Sequence, residues 1–159
     1  MSAVLCALGG LSLVLLLVLA LGWIRRRMVV ITVKGVSMRP TLGAGDVLIG
    51  HRVRTSRLRS GQIVVLQKPN PGADWATWTW PEQPGHFMIK RLAAVPGDPV
   101  PVAARARLGR GPVPPGSVVV LGDNLQESVD SREIGYVPLE RVVGVALRTY
   151  RRSPHDTCR

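Results

Sequence analysis

The chain has 159 residues, of which 46% are hydrophobic and 19% charged, and a formal net charge of +11. That length accommodates one compact domain and one further segment, because domains usually run to about 100–150 residues, so two independent enzymes are excluded. The arginines are dispersed and lack the aromatic interleaving of a single-strand groove, which points to anionic lipid and away from nucleic acid; Cys6 lies inside an apolar block and Cys158 is the penultimate residue, which argues against a disulfide framework, and His51, His86 and His155 have no metal-ligand spacing.

From Ala3 to Ile24 no charged residue interrupts the run of Leu, Val and Ala. As a helix at ~1.5 Å per residue it would cover roughly 33 Å, the depth of a bilayer core. A cleaved secretory signal would begin with basic residues, and Met1 to Val4 has none, so the segment reads as a retained anchor, residues 1–27 with their basic flank. Arg25, Arg26 and Arg27 come directly after the span, and by themselves they would hold the remainder of the chain in the cytoplasm.

Residues 28–150 form the candidate domain and 151–159 a basic tail. Short β-branched runs recur between turn signals: Met28 to Val33, Val47 to Ile49, Ile63 to Leu66, Phe87 to Leu92, Val118 to Leu121 and Val142 to Leu147. Gly, Pro, Asp and Asn clusters separate them and no long stretch has helical period, which predicts a nearly all-β domain. The Arg- and Ala-rich stretch Ala103 to Gly111 reads as an exposed loop. Asp74 to Trp80 carries Trp75, Trp78 and Trp80, placed either as a cap on the sheet or at a membrane surface; Trp23 suits the interfacial belt.

Three runs carry candidate chemistry. Gly35-Val36-Ser37-Met38-Arg39-Pro40-Thr41-Leu42 comes after a strand and sets a serine at its end. A serine hydroxyl needs a base, and no histidine here has a motif around it. Lys90, in Phe87-Met88-Ile89-Lys90-Arg91-Leu92, alternates to the face opposite Ile89 and Arg91. To act as base it must be neutral, and burial lowers a lysine's pKa; three units below the reference of ~10.4 would cost about 4 kcal/mol of stability. Taken alone, a strand lysine is more often solvated. The third run, Gly122 to Arg132, is dense in hydrogen-bonding groups, so that Ser128 could fix the amine and Asp130 with Arg132 could stiffen the loop.

In this order the runs resemble the type I signal peptidase, or leader peptidase, family. The resemblance rests on Ser37-Met38-Arg39-Pro40-Thr41-Leu42, Ser60-Gly61-Gln62-Ile63-Val64-Val65, Ile89-Lys90-Arg91 with Pro96-Gly97-Asp98, and Gly122 to Arg132, and it extends from Val33 to Val145. It implies a compact antiparallel β-sheet domain of the signal-peptidase and LexA-protease type behind one N-terminal transmembrane helix. It also implies Ser37 as nucleophile, Lys90 as general base, Ser128 as positioning hydroxyl and Asp130 with Arg132 as a structural pair. Small side chains at the first and third positions before the cut would be read by shallow pockets near Met38 and Ile89.

Two departures stand out. Gln62 replaces a usual acidic residue in what reads as a surface turn. Gly35 replaces a hydroxyl residue that in some members binds the oxyanion, so that this donor is either a backbone amide or missing, and the Ser37 amide supplies only part of an oxyanion hole. The short stretch between Asp98 and Gly122 leaves no room for the extra β domain of longer members.

The implied reaction is acyl transfer to Ser37 and hydrolysis, with no metal or organic cofactor. The partners would be precursor proteins with signal peptides and membrane lipid, and the domain would stand on the outer face, against the pull of the arginines. Rival readings are a LexA-type self-cleaving protease, which would carry a DNA-binding domain and no anchor, a maturation protease dedicated to one partner, and an inactive membrane-anchored β scaffold.

Overall fold

A computed structural model describes residues 2–67 and 87–151, with backbone alone for residues 2–9, 11, 12 and 26. The tryptophan-bearing segment Asp74 to Trp80, His86 and most of the basic tail lie outside the described residues.

The apolar N-terminal segment is a helix, α1 (Ser2–Arg27). Its described side chains from Leu13 to Ile24 are exposed, as a helix without protein neighbours must leave them. Among the described residues no helix is long and apolar enough to cross a membrane.

Among the described residues seven strands come after it: β1 (Met28–Thr32), β2 (Val47–His51), β3 (Ile63–Gln67), β4 (Phe87–Ala94), β5 (Ser117–Leu121), β6 (Val137–Pro138) and β7 (Val142–Tyr150). They form one sheet in the order β1-β2-β7-β3-β4-β5-β6, with every pairing antiparallel. The β-rich expectation therefore holds, and the six β-branched runs coincide with six of the strands. Their ends shift because pairing, and not composition, terminates a strand. β7 runs on to Tyr150 because Val47 pairs with it there, and β4 reaches Ala94 opposite Val119.

The register slips between Ile49 and Gly50, between Val65 and Leu66 and between Leu92 and Ala94, and bulges of this kind bend a sheet. Bending explains how β3 buries Val64, Val65 and Leu66 in succession. Val64 and Leu66 pack with Leu92, Val118 and Val120 on one side, while Val65 packs with Met38, Leu42 and Leu48 on the other. A third cluster joins Ala94, Val100, Ala104, Val113 and Val119.

The stretch Ala103 to Gly111 is exposed at all but Ala104 and Leu108, as expected, but it is not a plain loop. The stretch makes a 3-10 turn (Val102–Ala104) and a short helix, α2 (Arg105–Leu108); Ala104 is buried and Leu108 packs on the cluster. One turn of helix is too short to show a period in sequence, so its apolar face leaves no pattern there.

Candidate active site

The segment after β1 does not continue as a strand. Gly35 turns it with φ of 97°, and Met38 and Leu42 insert into the second core cluster, each at most 2% exposed. These two anchors hold the intervening turn, in which the Leu42 amide donates to the Met38 carbonyl at 2.8 Å. Ser37, half-buried, heads the turn. No described acceptor takes a hydrogen bond from the Ser37 amide. The φ at Gly35 lies where side chains are strained, so a hydroxyl residue would not fit this backbone without cost.

Lys90 lies on β4, opposite Val64 of β3, and shares its buried face with Leu92 and Ala94. It is 3% exposed. Its Nζ donates to Ser128 Oγ at 2.9 Å, and Ser128 Oγ donates in turn to Asp130 Oδ2 at 2.8 Å. The hydroxyl proton is thereby committed to the carboxylate, and an oxygen lone pair faces the amine.

Asp130 is fully buried and bound from several sides. The Gly122 amide donates to Oδ2 at 2.8 Å and Arg132 Nε donates to Oδ1 at 2.9 Å. Arg132 also reaches the Ser128 carbonyl at 3.0 Å. Burial by itself pushes the Asp130 carboxyl up, yet the Arg132 side chain, the Gly122 amide, the Ser128 hydroxyl and the Arg132 amide together hold it below the usual carboxylate range. Asp130 also caps α3 (Ser131–Ile134), where Glu133 Oε2 accepts from the Asp130 amide at 2.9 Å. A capped turn of this kind fixes the backbone of the loop that carries Ser128.

A cavity of about 300 Å³ brings these pieces together: Ser37 and Lys90 both line it, with Gly35, Met38 and Ile89. Its walls are two strand edges. Residues Ile31 to Gly35 lie on or just past β1, the outermost strand, and Phe87 to Lys90 belong to the part of β4 that precedes its pairing with β5 at Arg91. Ser128, Asp130 and Arg132 stand behind the amine and not on the cavity wall. Val129 and Ile134 line the cavity although neither stands out in the sequence.

Three further contacts are not legible from the motifs. The Asn124 amide donates to the Ser37 carbonyl at 3.0 Å and its Nδ2 donates to the Val36 carbonyl at 3.3 Å, clamping the turn. Arg91 grips Asp123 with two bonds, 2.7 and 2.6 Å, and reaches the Gly61 carbonyl at 2.8 Å, while the Thr41 hydroxyl also donates to Asp123. The Arg91 side-chain bond holds Asp123 below the carboxylate range, against desolvation and with help from Thr41. Finally, a Cβ at Gly122 would overlap Ser128 Oγ and stand 2.6 Å from the Ser37 carbonyl oxygen, so only glycine lets these two residues approach. Gln62 closes a surface turn, its Oε1 accepting from the Arg59 amide at 2.9 Å.

Comparison with known proteins agrees with this arrangement. The family described as signal peptidase, peptidase S26, matches residues 8–108 and 101–150. The mitochondrial ATP-independent inner membrane protease subunit 1a of Arabidopsis thaliana is 32% identical over 122 residues, which are 72% of this chain and 66% of that protein. The mitochondrial inner membrane protease subunit 1 of Schizosaccharomyces pombe is 29% identical over 127 residues, 76% of this chain and 72% of that protein. Signal peptidase I of Leptolyngbya laminosa is 30% identical over 138 residues, 70% of this chain and 63% of that protein. The chain thus spans about two thirds of the length of such relatives. With the motifs, the sheet and these matches in agreement, the chain belongs to the signal peptidase family, peptidase S26, a family of serine proteases.

Proposed function

We propose that the protein is a membrane-anchored serine endopeptidase that removes N-terminal signal peptides from exported precursors, with Ser37 as nucleophile and Lys90 as general base. The observation that carries this reading is the buried Lys90 amine, held by Ser128 at 2.9 Å in the cavity it shares with Ser37. A lysine buried on the core face of a strand costs stability and needs a use.

In the first half-reaction neutral Lys90 takes the Ser37 proton as Oγ attacks the scissile carbonyl. The oxyanion that forms is met by the Ser37 amide, which has no described acceptor of its own. The lysinium then returns its proton to the leaving amine. In the second half the same amine takes a proton from water as its oxygen attacks the acyl-enzyme, and the lysinium returns that proton to Ser37 Oγ as the ester bond breaks. Ser128 accepts from the amine in either protonation state, so it can hold Nζ in place through both transfers. Asp130 and Arg132 serve by fixing Ser128.

An extended substrate suits the cavity, because the strand edges along it offer backbone groups for edge addition. Met38 and Ile89 form part of its wall, consistent with subsites for small side chains. The helix α1, with its exposed Leu and Val side chains, is read as the single membrane anchor. Since exported chains emerge there, the domain is assigned to the outer face.

Detergent-solubilised protein incubated with a precursor bearing an Ala-X-Ala site should release the mature chain at that site. Ser37→Ala and Lys90→Ala should each abolish the product while keeping the thermal unfolding of a folded domain; cleavage at the wild-type rate by either variant would sink the dyad.

A further inference from the structure

A second cavity, of about 420 Å³, opens where α1 meets the sheet and is lined by Trp23, Arg27, Arg52, Val53 and Arg54. It shares no lining residue with the active-site cavity. It begins where β1 begins, and Ser37 lies past the other end of that strand, roughly 17 Å away for five residues in extended form.

The backbone dictates that the arginines converge. The Arg52 amide donates to the Arg27 carbonyl at 2.9 Å, which carries the pairing of Met28 with His51 one step beyond the strands. Past the end of β2, Arg54 is extended, with φ −69° and ψ 140°. Val53 packs against the first cluster and also meets the cavity, while Arg52 and Arg54 on either side of it are exposed and line the same space. Arg27 comes from the helix, its guanidinium 4.6 Å from the centre of the Trp23 ring.

Arg27, Arg52 and Arg54 thus line one space, and among the described residues no carboxylate lines it and none of the three forms an ion pair. Glu140 lines an adjoining cavity that Arg52 and Val53 also touch. Like charges gathered without a counter-ion favour an anion, and guanidinium forks match the oxygens of a phosphate. The place matters as much as the charge. The cavity sits at the domain end of an apolar helix whose last turns expose Leu21, Trp23 and Ile24, the level at which tryptophan and headgroups meet.

We infer that this cavity binds the phosphate of an anionic phospholipid headgroup, with Arg27, Arg52 and Arg54 as its ligands and Trp23 as its apolar wall. The inference rests on the reading of α1 as a membrane anchor. A headgroup bound there would hold the start of β1, and with it one wall of the active-site cavity, at a set height above the bilayer.

The test measures phosphatidylglycerol retained by the full-length chain in native mass spectrometry from mixed micelles, with phosphatidylcholine as the neutral arm and inorganic phosphate as competitor. Wild type should retain phosphatidylglycerol over phosphatidylcholine. Arg52→Gln with Arg54→Gln should lose roughly thirtyfold in affinity, and Arg57→Gln with Arg59→Gln, an equal loss of charge on exposed residues off the cavity, should lose little. Equal losses in both double variants, or none in the first, overturn the site in favour of diffuse charge. Displacement by inorganic phosphate at matched concentration overturns the lipid assignment. Alkaline extraction of membranes carrying the same chain separates the premises: a chain that stays integral while the variants behave alike defeats the site alone, whereas a chain released by alkali defeats the anchor and the site with it.

Discussion

At the scale of single residues, the amine of Lys90 depends on neighbours that are inconspicuous in the sequence. Gly122 is the clearest. Since a methyl group there would overlap Ser128 Oγ and meet the Ser37 carbonyl oxygen at 2.6 Å, Gly122→Ala must push apart the two segments that flank the amine. Processing should fall by at least about a hundredfold, given what a misplacement of ~1 Å costs, while the melting temperature moves by only a few degrees. Activity close to wild type would show that the loop can shift without cost. Ser128→Ala removes the acceptor from Lys90 and the donor to Asp130 together. Its effect should fall on kcat and spare KM, because the amine is displaced from Ser37 and substrate contacts are not. The pH profile should also change shape, an effect that a merely weakened fold would not give.

At the scale of elements, two carboxylates tie separate segments together. Asp130 titrates lower in the folded protein than a free carboxylate does, so the stability it contributes is complete above the unfolded value of ~3.9 and is lost as pH falls through the folded value. Asp130→Asn should therefore flatten the acid limb of the stability curve below about pH 4 and cost about 3 kcal/mol at neutral pH, because Arg132 loses its charged partner. Urea unfolding across pH checks both. An unchanged acid limb would assign acid unfolding to other groups. The second tie joins the turn that carries Ser37, the strand that carries Lys90 and the Gly122 loop through Thr41, Arg91 and Asp123. Arg91 is about a third exposed by side chain, so its pair with Asp123 is worth only about 1 kcal/mol by double-mutant cycle. Arg91→Lys should still reduce processing, since an ammonium cannot hold Asp123 by two parallel bonds and reach Gly61 as well.

At the scale of the whole molecule, α1 meets the domain through the start of β1 and the bond from the Arg52 amide to the Arg27 carbonyl, while the three core clusters are built without it. Removal of residues 1–24 should leave a domain that unfolds cooperatively, cleaves short peptides and processes membrane-bound precursors more slowly. Failure of the truncated chain to fold would show that α1 has a structural role.

The sequence by itself determined the β character and six of the seven described strands, because period-two burial and turn chemistry are local properties written in adjacent residues; the candidates Ser37, Lys90, Ser128, Asp130 and Arg132 came from the resemblance of three runs to a known family. The structure brings Ser37 and Lys90 to one cavity and Ser128 to the amine, with Asp130 and Arg132 behind it. What only the tertiary structure decided is long-range. Whether Lys90 is buried or solvated depends on which face of β4 meets the core. Asn124 finds Ser37 across the sequence through its loop, and Gly122 matters only because two distant segments crowd it. The short β6 and the helical turn α2 were also hidden, since elements of two or four residues carry no period and are held by what they pack against. Arg27, Arg52 and Arg54 likewise read as dispersed charges until the pairing of β1 with β2 gathers them around one space.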